Sequence, residues 1–401
     1  MKYFLILICT LGSFVSLAQR ITISGKVIDG ETKEALPFAS IGILGKPIGT
    51  ISNLQGEFDF HIPANLRNDI LAVNMLGYKT YQEPAWTLVG DSIIIRMGKS
   101  TQVLKEVVIM DSLKGGDILH IAISRVEENY PDKPFLMDGF YRDLKKVADT
   151  YISLLEAAVK IYDEDYREPR NKFKLRERVG LKEVRRSLGY TSKFTSFFDQ
   201  DNLLEDLLLN NNIRYRQFPE EEIFFSSLHR EKDSYYSGHD VFVVSHSKDY
   251  LLRLYIDKVT YGIIHLDYEN HQQDELEKKR GLVSKFVWIK RVIDFKLYEG
   301  KLFLNYLTVD SKINWYDTET GELKFETELL RQLLINQITP NTNERITSRE
   351  KMKNYGLQYQ DKEYNKEFWK NYNVIKESQL DKKIIKDLER DAPLEKQFVD
   401  E

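Results

Sequence analysis

Phe58, Phe60 and Ile62 stand at every second position, with Asp59 and His61 between them. Successive side chains of a strand point to opposite faces, so this alternation asks for one buried and one wet face. The same reading extends to either side. Ile21, Ile23 and Val27 make one β-favouring run, and Phe38, Ile41 and Ile43 another. Between the runs lie Asp29-Gly30, Gly45-Lys46-Pro47, Ser52-Asn53 and Gln55-Gly56, each suited to a tight turn. Strands this short and this closely spaced predict a small β-sandwich over 19–98, closed by the run at 91–97.

Gly25, Val27, Asp29, Leu36-Pro37, Ala39, Gly49-Thr50, Asn53, Gly56-Glu57-Phe58 and Gly77-Tyr78 carry a family likeness. Through them the block resembles the carboxypeptidase regulatory-like, transthyretin-like β-sandwich common in envelope proteins of Bacteroidota. The resemblance implies a folding and docking module with no catalytic residues of its own. Such modules are joined to many different partners, so the likeness speaks to fold rather than function.

The chain has 401 residues, enough for two or three domains. Lys2, the apolar run at 4–11 and Ser16-Leu17-Ala18 predict a secretory signal peptide over 1–18, cut before Gln19. Cys9, the one cysteine, lies inside it. Ile8 precedes it where a lipidation signal needs a small residue, so no lipid anchor is expected. The mature chain would then have no disulfide, thiolate metal site or cysteine nucleophile. No later stretch suits a membrane-spanning helix, and the charged tail argues against a β-barrel. The expected location is the periplasm or the outer-membrane periphery. With 58 basic and 62 acidic residues the formal net charge is −4, so no field for a polyanion is expected. The basic stretch at 167–186 reads as a strand with one solvated face, not as a nucleic-acid arm.

The second half lengthens the same β pattern. A connecting strand is expected at 103–110 and an amphipathic helix at 117–130, together spanning a 99–134 connector. Residues 135–163 read as two long strands joined near Ala148-Asp149, and 202–212 as a short apolar helix. Runs at 235–246, 250–256, 263–271, 286–298, 302–315 and 323–338 predict an antiparallel meander. A last helix is expected at 363–390, before Pro393. The fold class is therefore mainly β, α+β overall: a sandwich followed over 135–401 by an antiparallel sheet domain with a C-terminal helix. The hairpin at 250–269 resembles the strand–turn–strand of envelope lipid- and lipoprotein-carrier sheets.

One constellation could carry chemistry. His265, Asp267, Glu269 and His271 alternate along one expected strand and would share a face. Imidazole and carboxylate together suit zinc. Ile264, Leu266 and Tyr268 alternate with them, as on any strand with one face in water, and that reading needs no ion. The metal expectation is accordingly none, as is that for a cofactor. No HExxH, GxSxG, GxGxxG or phosphate-loop pattern occurs. The sequence thus predicts a non-enzymatic binding or assembly component that recognises envelope or outer-membrane proteins. The alternative is a carrier of a lipid or other apolar ligand in the concavity of the sheet.

Overall fold

The punctuated runs of the amino end fold as two facing sheets. The computed structural model describes residues 20–100, 113–187, 189, 193–198, 202–271, 274–352, 356–360, 362–376 and 381–398. The leader expected at 1–18 and the strand expected at 103–110 lie outside them. Seven strands build the first unit: β1 (Arg20–Asp29), β2 (Ser40–Ile43), β3 (Gly49–Ile51), β4 (Glu57–Pro63), β5 (Ile70–Asn74), β6 (Tyr81–Pro84) and β7 (Gly90–Met97). One sheet runs β4–β1–β7, with β7 parallel to β1, and the other β3–β2–β5–β6. Phe58, Phe60 and Ile62 are fully buried in a core shared with Ile41, Leu71 and Val73 of the facing sheet. Burying each such side chain contributes about 1.5–3 kcal/mol.

Residues that carried the family likeness have local jobs. Asp29 closes the turn after β1. Its Oδ1 accepts from the Glu31 N–H at 2.7 Å and the Thr32 N–H at 2.9 Å, and its Oδ2 from the Tyr78 hydroxyl at 2.8 Å. These donors, the Thr32 N–H foremost, hold its carboxyl well below the usual range. Gly56 follows Asn53, whose Oδ1 accepts from the N–H of Gln55 and of Glu57. At φ +75° a Cβ on Gly56 would collide with the Val27 carbonyl oxygen, so the turn requires glycine.

The larger unit starts with α1 (Gly115–Ser124) and α2 (Val126–Asn129), then β8 (Phe135–Val147), β9 (Thr150–Asp163) and β10 (Arg178–Arg186). Three short helices follow: α3 (Leu203–Leu209), α4 (Asn212–Tyr215) and α5 (Glu222–Ser226). Then come β11 (His229–Arg230), β12 (Ser234–Tyr236), β13 (His239–His246), β14 (Leu251–Asp257), β15 (Ile263–Asn270) and β16 (Glu275–Lys279). The three longest strands, β17 (Leu282–Tyr298), β18 (Lys301–Asp317) and β19 (Leu323–Thr339), complete the meander. The described strands form one antiparallel sheet in the order β10–β9–β8–β19–β18–β17–β15–β14–β13–β11, with β12 on β13 and β16 on β17. Two positive-φ residues, Glu299 and Gly300, make the tight turn between β17 and β18.

In sequence α3, α4 and α5 lie between β10 and β11, the two ends of this sheet, so they cross one of its faces. Asn202 caps α3 by accepting from the Glu205 N–H, and Leu203, Leu204, Leu207 and Leu208 form its buried side. They share a core with Ile118 of α1, Tyr141 of β8, Leu254 of β14 and Leu307 of β18. α4 is pinned electrostatically. Arg214, fully buried, donates from Nε and Nη2 to the two carboxylate oxygens of Asp163 at 2.6 and 3.1 Å. Tyr215 beside it donates to buried Glu177, which burial and the Asp163 charge push up to about 7. Burial pushes the Asp163 carboxyl up as well, with the Arg214 guanidinium pulling the other way.

The sandwich sits on the opposite face. Its β3 edge makes a bridge from Ile48 to Gln337, and the Ile338 N–H donates to the Pro47 carbonyl at 2.8 Å. Phe38 stacks on Tyr306 of β18 with ring centroids 5.4 Å apart. Ile51 joins Phe140, Tyr306 and Leu334 in one apolar cluster. Trp369, Tyr372 and Ile375 fill the same cluster, so residues 362–376 are wedged between the two units.

That wedge corrects one expectation. The single helix expected at 363–390 is two separate ones, α6 (Lys366–Lys370) and α7 (Asp381–Leu388). Residues 371–376, which follow α6, are not helical, and there Asn373 uses its side chain to accept from the His61 N–H at 2.7 Å and to donate to the His61 carbonyl at 3.2 Å. α7 packs Ile384 and Leu388 against Leu144 and Leu154 of β8 and β9, followed by α8 (Leu394–Gln397). The strand expected over 167–186 is likewise shorter. Residues 164–177 are irregular, tied down by Asp165 pairing with Arg167 and by the Tyr215–Glu177 contact.

Candidate functional site

Three of the expected quartet lie on β15, His271 stands just past its end, and the four do not converge. Among the described residues, no group of three or more His, Cys, Asp or Glu is placed to hold a metal ion. His265 instead stands between two acids. Its Nδ1 lies 3.1 Å from Asp294 of β17 and its Nε2 3.0 Å from Asp267. The Tyr255 ring meets it edge-on. Burial alone would depress its pKa, but Asp267 and Asp294 outweigh burial and push it to about 10. An imidazolium with both nitrogens engaged has no lone pair for a cation. Glu269 and His271 form a second, more exposed pair at 2.6 Å, with Lys290 3.1 Å from the same carboxylate. The quartet is therefore two separate hydrogen-bonded groups, one on β15 and one at its end.

A polar chain runs from His265 into the sandwich. Asp294 accepts from the Asn305 amide at 2.8 Å, and that amide lies 3.5 Å from the Ser40 hydroxyl of β2. Beside this chain the two units do not close completely. They leave a cleft of ≈330 Å³ walled by Ile43 and Ala72 from the sandwich and by Tyr236, Ile264, Phe295 and Leu302 from the long sheet. Ser40, Asn74, Asn129 and Thr260 bring polar groups to it as well. His239 at the rim is paired with Asp257 at 3.0 Å, whose other oxygen accepts from the N–H groups of Val259 and Thr260.

The group that stands out is Lys296, on β17. Its Nζ donates to the Ile48 carbonyl at 2.8 Å. Among the described residues it has no ion pair with a carboxylate. Burial depresses its pKa to about 8, with no acid to counter the effect. Two glycines opposed across β2 and β3, Gly42 and Gly49, make the slot that receives it. A Cβ on Gly42 would lie 2.7 Å from the ammonium and one on Gly49 3.3 Å from it. Sequence reasoning did not find this lysine. The signals were present, in two glycines inside β-favouring runs and one lysine in the alternation of β17, but nothing local joins residues 42, 49 and 296.

The helix-covered face, where an apolar ligand was the alternative expectation, is packed by α1, α3 and α5 over its middle. A second space, ≈520 Å³, opens at one end of it. Phe197, Phe198, Ile313 and Leu329 border this space, together with the ion pair between Arg331 and Asp206.

Residues 23–109 match the model of the CarboxypepD_reg-like domain. That match covers well under half of the chain. No curated protein matches the chain. Among solved structures, one described as an outer membrane lipoprotein-sorting protein domain from Vibrio parahaemolyticus is 13% identical, covering 57% of this chain and 93% of that one at a TM-score of 0.22. The Pseudomonas aeruginosa MucA/MucB complex gives 9% identity, 57% and 99% coverage and a TM-score of 0.19. A membrane-associated protein of unknown function from Bacteroides fragilis gives 10%, 80% and 98%, and 0.16. TM-scores this low carry no argument for a shared fold. Among the described residues no helix is long and apolar enough to cross a membrane.

Proposed function

We propose that this chain is an exported, non-enzymatic binding protein of the cell envelope, and that its ligand enters the cleft where the sandwich meets the long sheet. The cleft carries the reading. It lies at the junction of two units and combines apolar walls with several polar side chains, which suits a small-molecule site. Export is supported by the signal-like pattern at 1–18.

Native mass spectrometry of the full chain, purified gently from cells that make it, tests the proposal. The wild type should retain a small molecule. Ile264→Trp and Ala72→Leu, which fill the cleft from opposite walls, should retain less of it while melting within a few degrees of wild type. Bare protein in all three would sink the idea.

A second reading, assembly with envelope proteins by strand addition, is favoured by the state of the sandwich edges. The chain itself occupies β3 and β4 through Gln337 and Asn373. β7 remains an outer strand and holds Ile94 about half exposed, at 52%. A photo-crosslinker at Ile94 in intact cells should capture a protein under this reading, and an empty result removes it.

A further inference from the structure

We infer that the junction cleft takes a ligand with an apolar body and a single carboxylate, and that the Lys296 ammonium is its counter-charge. This rests on the cleft reading above and names the chemistry the cleft selects. Three observations carry it. First, Lys296 is half-buried and lines the cleft, and drawing a lone charge part way out of water is unfavourable unless something compensates it. Second, its surroundings supply one carbonyl, that of Ile48, for an ammonium with three donors. Third, the slot is kept open by two opposed glycines, at positions where strands disfavour glycine.

The other charged groups facing the cleft do not replace a ligand anion. Asp257 is committed to His239 and to the turn after β14. Glu299 lies at the β17–β18 turn, and Lys46 is exposed at the mouth. One ammonium without an arginine fork suits a carboxylate better than a phosphate, which is usually gripped by several donors at once. The volume fits a chain of about ten carbons.

Decanoate and decanol, the same chain with and without the acid, are the probes. Titration calorimetry on the full protein should show decanoate binding about tenfold tighter than decanol, the size of one well-placed ion pair. Lys296→Met should abolish that preference and leave decanol binding unchanged, while Lys296→Arg keeps part of it. Melting curves establish that each variant is folded. If both ligands bind wild type equally, or if Lys296→Met keeps the preference, the carboxylate inference is overturned. The cleft reading then survives, provided that Ile264→Trp still blocks binding. If neither ligand binds wild type, or if Ile264→Trp binds both as wild type does, inference and cleft reading both fall.

Discussion

His265 shows how much a single neighbour can change a residue's meaning. Alternation along 263–271 placed its ring correctly on a face with Asp267 and Glu269. Nothing local could show that Asp294, on a strand that pairs 29 residues later, would take its other nitrogen. With both acids in place the ring is a cation that ties β15 to β17. Its folded pKa lies above that of free imidazole, so its stabilising effect is complete below about pH 6.5 and is lost as pH rises through about 10. His265→Asn should therefore cost about 1–3 kcal/mol at neutral pH, because Asp294 loses its counter-charge. The gap between the melting temperatures of wild type and variant should narrow between pH 7 and pH 10. A gap that stays constant over that window would mean the ring is neutral in the fold.

Elements were legible where periodicity was strong and adjacent in sequence. The hairpin of β8 and β9, the turn at Glu299-Gly300 and the capped helix α3 all follow from patterns within a few residues. The long helix expected at 363–390 failed for a non-local reason. Trp369, Tyr372 and Ile375 suit a helical stripe, yet they are drawn into a cluster with Phe140 and Tyr306, and Asn373 among them exchanges hydrogen bonds with His61. Tertiary contact overrode propensity. Asn373→Ala should remove both contacts to the β4 edge, costing about 1–3 kcal/mol. Hydrogen exchange should rise along 57–63 and be unchanged in β17 and β18. Equal protection of β4 in both proteins would show that Asn373 does not hold that edge.

At the scale of the whole molecule, the sequence reading separated a sandwich from a long sheet and left their relation open. Charge balance and the absence of catalytic motifs said nothing about a joint built by residues 42, 49, 140, 296, 306 and 373, since the partners that meet across it lie far apart in sequence. The joint makes the two units interdependent. Removing 20–98 should expose Phe140, Tyr306 and Leu334, a patch of the kind that drives association. Such a truncated chain is expected to bind a hydrophobic dye and to run as aggregates on size exclusion, where the full chain runs as one species. A monodisperse, dye-negative fragment would mean that the interface is dispensable. The wedge at 362–376 also has a consequence in time. Asn373 grips His61 across 312 positions of chain, so a polypeptide delivered from its amino end must emerge through residue 373 before the sandwich can be locked. Until then the docking face stands bare, and any helper that escorts this protein would have its work there.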